Sequence, residues 1–362
     1  MSHETLFSPL GIGRLELPNR IVMGPLARHR AAQPGDVPVE MNARYYAQRA
    51  SAGLIITESA QISPAGRGGY ATPGMVSDAQ EAGWKAVAGA VHARHGRMAL
   101  QLAHAGRLSH RRLQESGAPP VAPSAIRARD AKLLVREDDG AFALIDADDP
   151  RPLETNEIAS VVLQYVDAAH RADRAGFDLL EIDASDGALL HQFIATGTNR
   201  RSDEYGGGVE QRTRLVVDVL EAVSSVLGAD RIGLRLSPLF AGADIEDAEA
   251  RESATYLAHA LERIGIAYLQ LADFDDALLH SVRDAYSGAL IAAGDWRIDE
   301  ASALIGRGAA DAVAFGRAFV ANPDLVERVK ENAPLAEADP ATLRGGGEAG
   351  YTDYAALNDK SA

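Results

Sequence analysis

The chain contains no cysteine, which excludes disulfides, thiolate metal sites and cysteine nucleophiles. Positive charge is scarce as well. The 36 Lys and Arg stand against 51 Asp and Glu, and the net charge of −15 argues against a nucleic-acid or anionic-membrane surface. No apolar run is long enough to cross a bilayer, and Met1 to Asn19 lacks the uninterrupted apolar core behind positive charge that marks a signal peptide. A cytoplasmic protein is the expectation. No G-x-G-x-x-G opens a helix after a strand and no Walker-type loop is present, so Rossmann and P-loop readings fail. Internal repeats, coiled-coil heptads and low-complexity domains are missing too.

What is present is a βα rhythm. Hydrophobic residues make up 46% of 362, enough for a large core. Eight short apolar runs are each followed by a helix-length stretch, which predicts an α/β (β/α)8 TIM barrel occupying residues 1–362 as one domain. The strands are expected at Arg20–Gly24, Gly53–Glu58, Arg97–Leu102, Asp178–Asp183, Arg231–Leu236, Ala267–Ala272, Ala289–Ala293 and Asp311–Phe315. Ser77, Thr155 and Asp299 read as helix N-caps, and Gly53, Gly96, Gly176 and Gly265 as helix stops. One connection breaks the pattern. Residues 104–153 form an excursion far longer than an ordinary βα loop, and within it Lys132–Arg136 and Phe142–Asp146, joined by Glu137-Asp-Asp-Gly140, predict a hairpin over the strands' C-terminal ends. The tail, 335–362, with Gly345-Gly-Gly347 and Tyr351-Thr-Asp-Tyr354, is expected to fold back on the barrel.

The densest set of ionisable groups lies between Phe177 and Gly207. Side chains alternate along a strand, so Glu181 and Asp183 share one face while Leu180 and Ile182 take the other. Asp186-Gly187-Ala188 follows at the strand end, where barrel active sites stand. Two carboxylates that approach closely cannot both ionise cheaply, so one of Asp183 and Asp186 is expected to have a raised pKa, with a shared proton when the pocket is empty. A magnesium or dinuclear site lacks a third ligand, so no metal is expected. His92 and His95 sit at i and i+3 on a surface helix; His104, after strand three, shapes the site rather than acting as a base; Arg28-His29-Arg30 reads as a solvated loop.

Asn199-Arg-Arg201-Ser-Asp203-Glu-Tyr205-Gly-Gly207 resembles the N-x-R-x-D-x-Y-G-G segment of the old yellow enzyme family of flavin-dependent ene-reductases, and His191-Gln-Phe193 and Arg212 agree with it. The resemblance implies a noncovalent FMN reduced by NADH or NADPH. Pro25, Leu26 and Ala27 would meet the ring edge beside Ser59, Gln101 would bond the pyrimidine edge, and Arg235 would stand near N1 and O2. Arg235 also reads as one half of an interior ion pair with Glu181 or Asp183. Gly294, Asp295, Gly316 and Arg317 follow strands seven and eight, the common barrel phosphate position.

The chemistry departs from the family. Asp183 and Asp186 stand where it has the His/His or His/Asn pair that holds the substrate oxygen, and Ala188 replaces its tyrosine proton donor. Ala27 and Ala103 replace a threonine or cysteine and a tryptophan, widening a pocket that Tyr70, Ala188 and Tyr354 would help to line. Ionised carboxylates accept hydrogen bonds only. The expected function is therefore an FMN-dependent oxidoreductase acting on a small molecule other than an ordinary enone, with a cationic substrate favoured. A redox-neutral isomerase with an aspartate base and a non-catalytic FMN or small-ligand binder are the alternatives. No oligomeric state is implied.

Overall fold

The computed structural model describes residues 3–115 and 117–357. Eight parallel strands close into a barrel, and each lies within or beside its expected run. They are β1 Ile21–Met23, β2 Leu54–Ile56, β3 Met98–Ala103, β4 Leu179–Ala184, β5 Ile232–Leu236, β6 Tyr268–Leu271, β7 Ala289–Ala293 and β8 Ala312–Phe315. β8 pairs with β1 to close the ring, and Ala60–Gln61 adds a short strand beside β3 at the rim. Helices wrap the outside because their apolar residues recur on one face. In the helix Thr155–Ala175, Ile158, Val161, Tyr165, Ala168, Ala172 and Ala175 are all buried, a spacing of three and four that points one stripe at the barrel. That helix stops at Gly176, whose φ of 90° a residue with a side chain adopts only under strain.

Some expected caps fall elsewhere. Ser77 caps its helix, accepting from the Gln80 amide, and Gly265 ends another with a left-handed φ of 75°. Thr155 is instead the first residue of its helix and turns its hydroxyl to Asp203. Asp299 lies inside the helix Ile298–Gly306, and the helices before Gly53 and Gly96 have already ended at Ala47 and His92. The chain also forms an N-terminal hairpin, Leu10–Ile12 with Leu15–Leu17, outside the expected strands. Ile12 and Leu17 pack with Val22, Leu54, Ile56 and Tyr268 and close the N-terminal end of the barrel.

The opposite end carries the excursion. Lys132–Arg136 and Phe142–Asp146 form the expected antiparallel hairpin, which rests on its own apolar cluster of Leu113, Ala131, Leu133 and Val135. The tail does fold back on the barrel over its described part; 358–362 lie outside the described residues. Its anchor overturns the solvated-loop reading of Arg28-His29-Arg30, since all three are buried. Arg28 donates to the carbonyls of Leu343 and Gly350 and to the Tyr45 hydroxyl, with its guanidinium beside the stacked Tyr45 and Tyr351 rings. Arg30 bonds the carbonyls of Thr342, Gly347 and Ala349.

Candidate active site

Strand register assembles a polar layer near the barrel mouth. Gln101 on β3 pairs with Glu181 on β4, Asp183 on β4 with Arg235 on β5, and Arg235 with Gln270 on β6, so these inward-facing groups become neighbours. Gln101 Nε2 donates to Glu181 Oε1 at 2.8 Å, and the Ser59 hydroxyl donates to Gln101 Oε1. Burial pushes the Glu181 carboxyl up to about 7 against the pull of Arg235 and Gln101. Burial also opposes the charge of Arg235, but Asp186, Glu181 and Asp183 outweigh it and hold the guanidinium above its ordinary pKa.

The two aspartates at the end of β4 are held differently. Asp183 is buried, and its Oδ1 accepts from both the Ser185 amide, at 3.0 Å, and the Ser185 hydroxyl, at 2.6 Å. Its Oδ2 accepts from none of the described residues. Burial, with Asp186 as the second cause, raises the Asp183 carboxyl to about 6. Asp186 is half exposed and paired with Arg235, Oδ2 to Nη2 at 3.2 Å. Its backbone is left-handed, φ 50°, and its amide donates to Ser237 Oγ at 2.7 Å. The carboxylates thus have separate partners, and the expected shared proton gives way to one buried acid and one ion-paired acid. Ser185 links them by donating to Asp183 while accepting from Arg235 Nε at 3.0 Å. Neither Ser185 nor Ser237 figured among the expected site residues. Their signal was position, one between the two aspartates and the other directly after β5.

Asp183 and Asp186 face a cavity of about 310 Å³ that Ala27, Ala103 and Ala188 also line, and the hairpin residues Lys132–Leu134 cover it. Lys132 is paired with Asp146, and Arg344 stands at the rim. His29 and His104 complete the wall, and burial lowers both to about 4, so they are neutral near pH 7. His104 Nδ1 accepts from the Gly106 amide. His191, behind the site, is lowered to about 4 for the same reason. Tyr70 sits outside the wall, its hydroxyl accepting from Arg136 and its ring against Phe142 on the hairpin. Tyr354 lies apart on the tail, where its hydroxyl accepts from the Asp339 amide. His92 pairs with Asp178 at the other end of β4.

A trough continues from Arg235 across the barrel mouth. One part, about 490 Å³, meets Pro25, Arg235, Gly294 and Gly316; a second, about 610 Å³, shares Gly294, Asp295, Trp296 and Gly316 and reaches Arg317. Leu26 is half-buried between Pro25 in the trough and Ala27 in the pocket. FMN fits these residues. A Cβ at Gly316 would meet nothing within 4 Å beyond its chain neighbours, so the backbone there leaves an open cradle, and beside Arg235 Gln270 Nε2 is a buried donor with no partner among the described residues. The ring would lie along Pro25, Gln101 and Arg235, and the phosphate would meet the backbone amides around Gly294 and Gly316 with Arg317 near.

Comparison with known proteins agrees with this reading. Residues 5–336 match the NADH:flavin oxidoreductase / NADH oxidase family. Morphinone reductase, solved in complex with tetrahydroNAD, is 48% identical, with a TM-score of 0.95 over 99% of both chains. The old yellow enzyme homologue from Zymomonas mobilis is 38% identical, with a TM-score of 0.91 over 97% of this chain and 99% of that one. A Leishmania infantum protein whose name is that of a flavin mononucleotide-dependent alkene reductase is 38% identical over 98% of each chain. No described helix is long and apolar enough to cross a membrane.

Proposed function

Because the chain belongs to the NADH:flavin oxidoreductase family that includes the old yellow enzymes, it is an FMN-dependent NAD(P)H oxidoreductase, and we propose that its acceptor is a cationic small molecule such as an iminium. Bound FMN supplies two-electron hydride transfer between the nicotinamide and the acceptor. The observation that carries the proposal is the Asp183 carboxylate on the pocket wall, with Oδ1 taken up by Ser185 and Oδ2 left over. With a pKa of about 6 it is mainly ionised at neutral pH, and an ionised carboxylate repels a carbonyl oxygen but attracts an N–H or a cation.

Proton accounting points the same way. Saturating an enone needs a hydride and a proton, whereas an iminium carbon that gains a hydride becomes a neutral amine while NAD(P)H becomes NAD(P)+. No acid is consumed. That suits a pocket with alanine at 188 and with His29 and His104 neutral. Asp186, with one oxygen on Arg235, keeps its other oxygen for an N–H of the substrate.

The test is steady-state NADH and NADPH oxidation by the holoenzyme with a cyclic iminium salt or cyclohexenone as acceptor. Faster turnover of the iminium is expected. Fast cyclohexenone reduction with an inert iminium would contradict the proposal.

A further inference from the structure

Arg235 is shared between two claims on its charge. A guanidinium has five N–H donors. Ser185 takes Nε–H, Gln270 takes one hydrogen of Nη1 and Asp186 takes one of Nη2, so among the described residues each Nη keeps one hydrogen free. Arg235 also lines the trough with Pro25 and Gly294. Asp186 comes from the other side, out of the substrate pocket, and its carboxylate sits 3.2 Å from Nη2. The ion pair therefore joins the pocket to the trough.

We infer that Asp186 is a positioning residue for the cofactor, fixing the Arg235 guanidinium and partly cancelling its charge so that a bound flavin is harder to reduce. The inference rests on the FMN reading given above. A cation fixed where negative charge develops favours the charged form. A carboxylate in contact with that cation subtracts from the field, the more so because Arg235 is buried and little water screens it. The geometry is built rather than incidental. Ser237 holds the Asp186 amide, and the left-handed backbone turns the side chain toward β5.

Asp186→Asn keeps the shape, and asparagine tolerates the left-handed φ. The measurement is the midpoint potential of FMN bound to wild type and variant, by anaerobic titration against reference dyes, together with the dissociation constants of oxidised and reduced FMN. The inference expects the equilibrium to move about tenfold toward the reduced form, about 30 mV upward for a two-electron couple, with the ratio of the two dissociation constants changing by the same factor. Asp186→Gly, which keeps the backbone conformation and removes the carboxylate, should move the potential in the same direction. FMN bound to both folded variants at an unchanged or lowered potential would overturn the inference and leave the FMN reading intact. Failure of the wild type to bind FMN would overturn both.

Discussion

Asp183 and Arg235 are register partners on adjacent strands, yet the guanidinium bonds Asp186 and reaches Asp183 only through the Ser185 hydroxyl. This leaves Asp183 buried with no cation of the described residues in contact, and burial, with Asp186 next, raises its carboxyl where a directly paired one would fall.

That arrangement has a pH signature in the apoprotein. A folded-state pKa of about 6 against an ordinary 3.8 means that the native state binds the proton more tightly, so the contribution of Asp183 to stability declines as pH rises through this window. His29, His104 and His191 act in the opposite sense, because each is lowered to about 4 and favours the folded state as pH rises. The opposing slopes partly cancel in the wild type. Glu181, raised to about 7, acts in the same sense as Asp183, so Asp183→Asn removes only one part of the falling slope. The variant's stability relative to wild type should increase between pH 4 and pH 6 by roughly 1–3 kcal/mol, as read from urea unfolding at each pH.

Cyclohexenone should be a poor acceptor. Oxyanion donors contribute about 2.7–4 kcal/mol each, and Asp183 and Asp186 stand where two are expected. Asp183→His combined with Asp186→Asn should raise kcat/KM for cyclohexenone on the order of 10²-fold or more. A wild-type rate already equal to that of the double variant would show that other groups polarise the carbonyl.

Gly316→Val should separate cofactor binding from folding. The added Cβ meets no atom within 4 Å beyond its chain neighbours and the backbone φ is negative, so the apo barrel should unfold at nearly the wild-type temperature. The side chain would fill the phosphate cradle, and FMN affinity should fall at least about tenfold, roughly 1.4 kcal/mol, by absorbance titration.

The tail clamp should be a stability element. Arg28→Ala removes a buried guanidinium, takes the donor from the Gly350 carbonyl and leaves that of Leu343 with only the longer bond from Arg30, which should cost about 3 kcal/mol and expose the tail to limited proteolysis.

How far these features can be read from sequence depends on how local their causes are. The hairpin emerges with its expected bounds because alternation and an Asp-Asp-Gly turn lie within one short stretch. The strands follow from apolar runs and the shared face of Glu181 and Asp183 from period-two alternation, while Gln101 and Arg235 are pointed to by the family resemblance. The burial of Arg28 and Arg30 does not, because their partners lie about three hundred residues away along the chain and nothing nearby betrays them. The partner of Arg235 was missed for a subtler reason. Alternation along β4 puts forward Glu181 and Asp183, but the left-handed turn at Asp186 brings a loop residue back over the mouth. Tyr354 was placed at the pocket by its aromatic character, and the path of the tail carries it to Asp339 instead.

The most direct test of the acidic pocket is ligand choice by the FMN-bound enzyme. Wild type and Asp183→Asn are titrated at pH 7.5 with cyclohexylammonium and with cyclohexanone, similar in shape and different in charge, and binding is followed by perturbation of the flavin spectrum. The account predicts that wild type prefers the cation by at least about tenfold, roughly 1.4 kcal/mol, and that the preference collapses in Asp183→Asn and in wild type well below pH 6. Equal or tighter binding of the ketone by wild type, unaltered by the substitution or by pH, would contradict it.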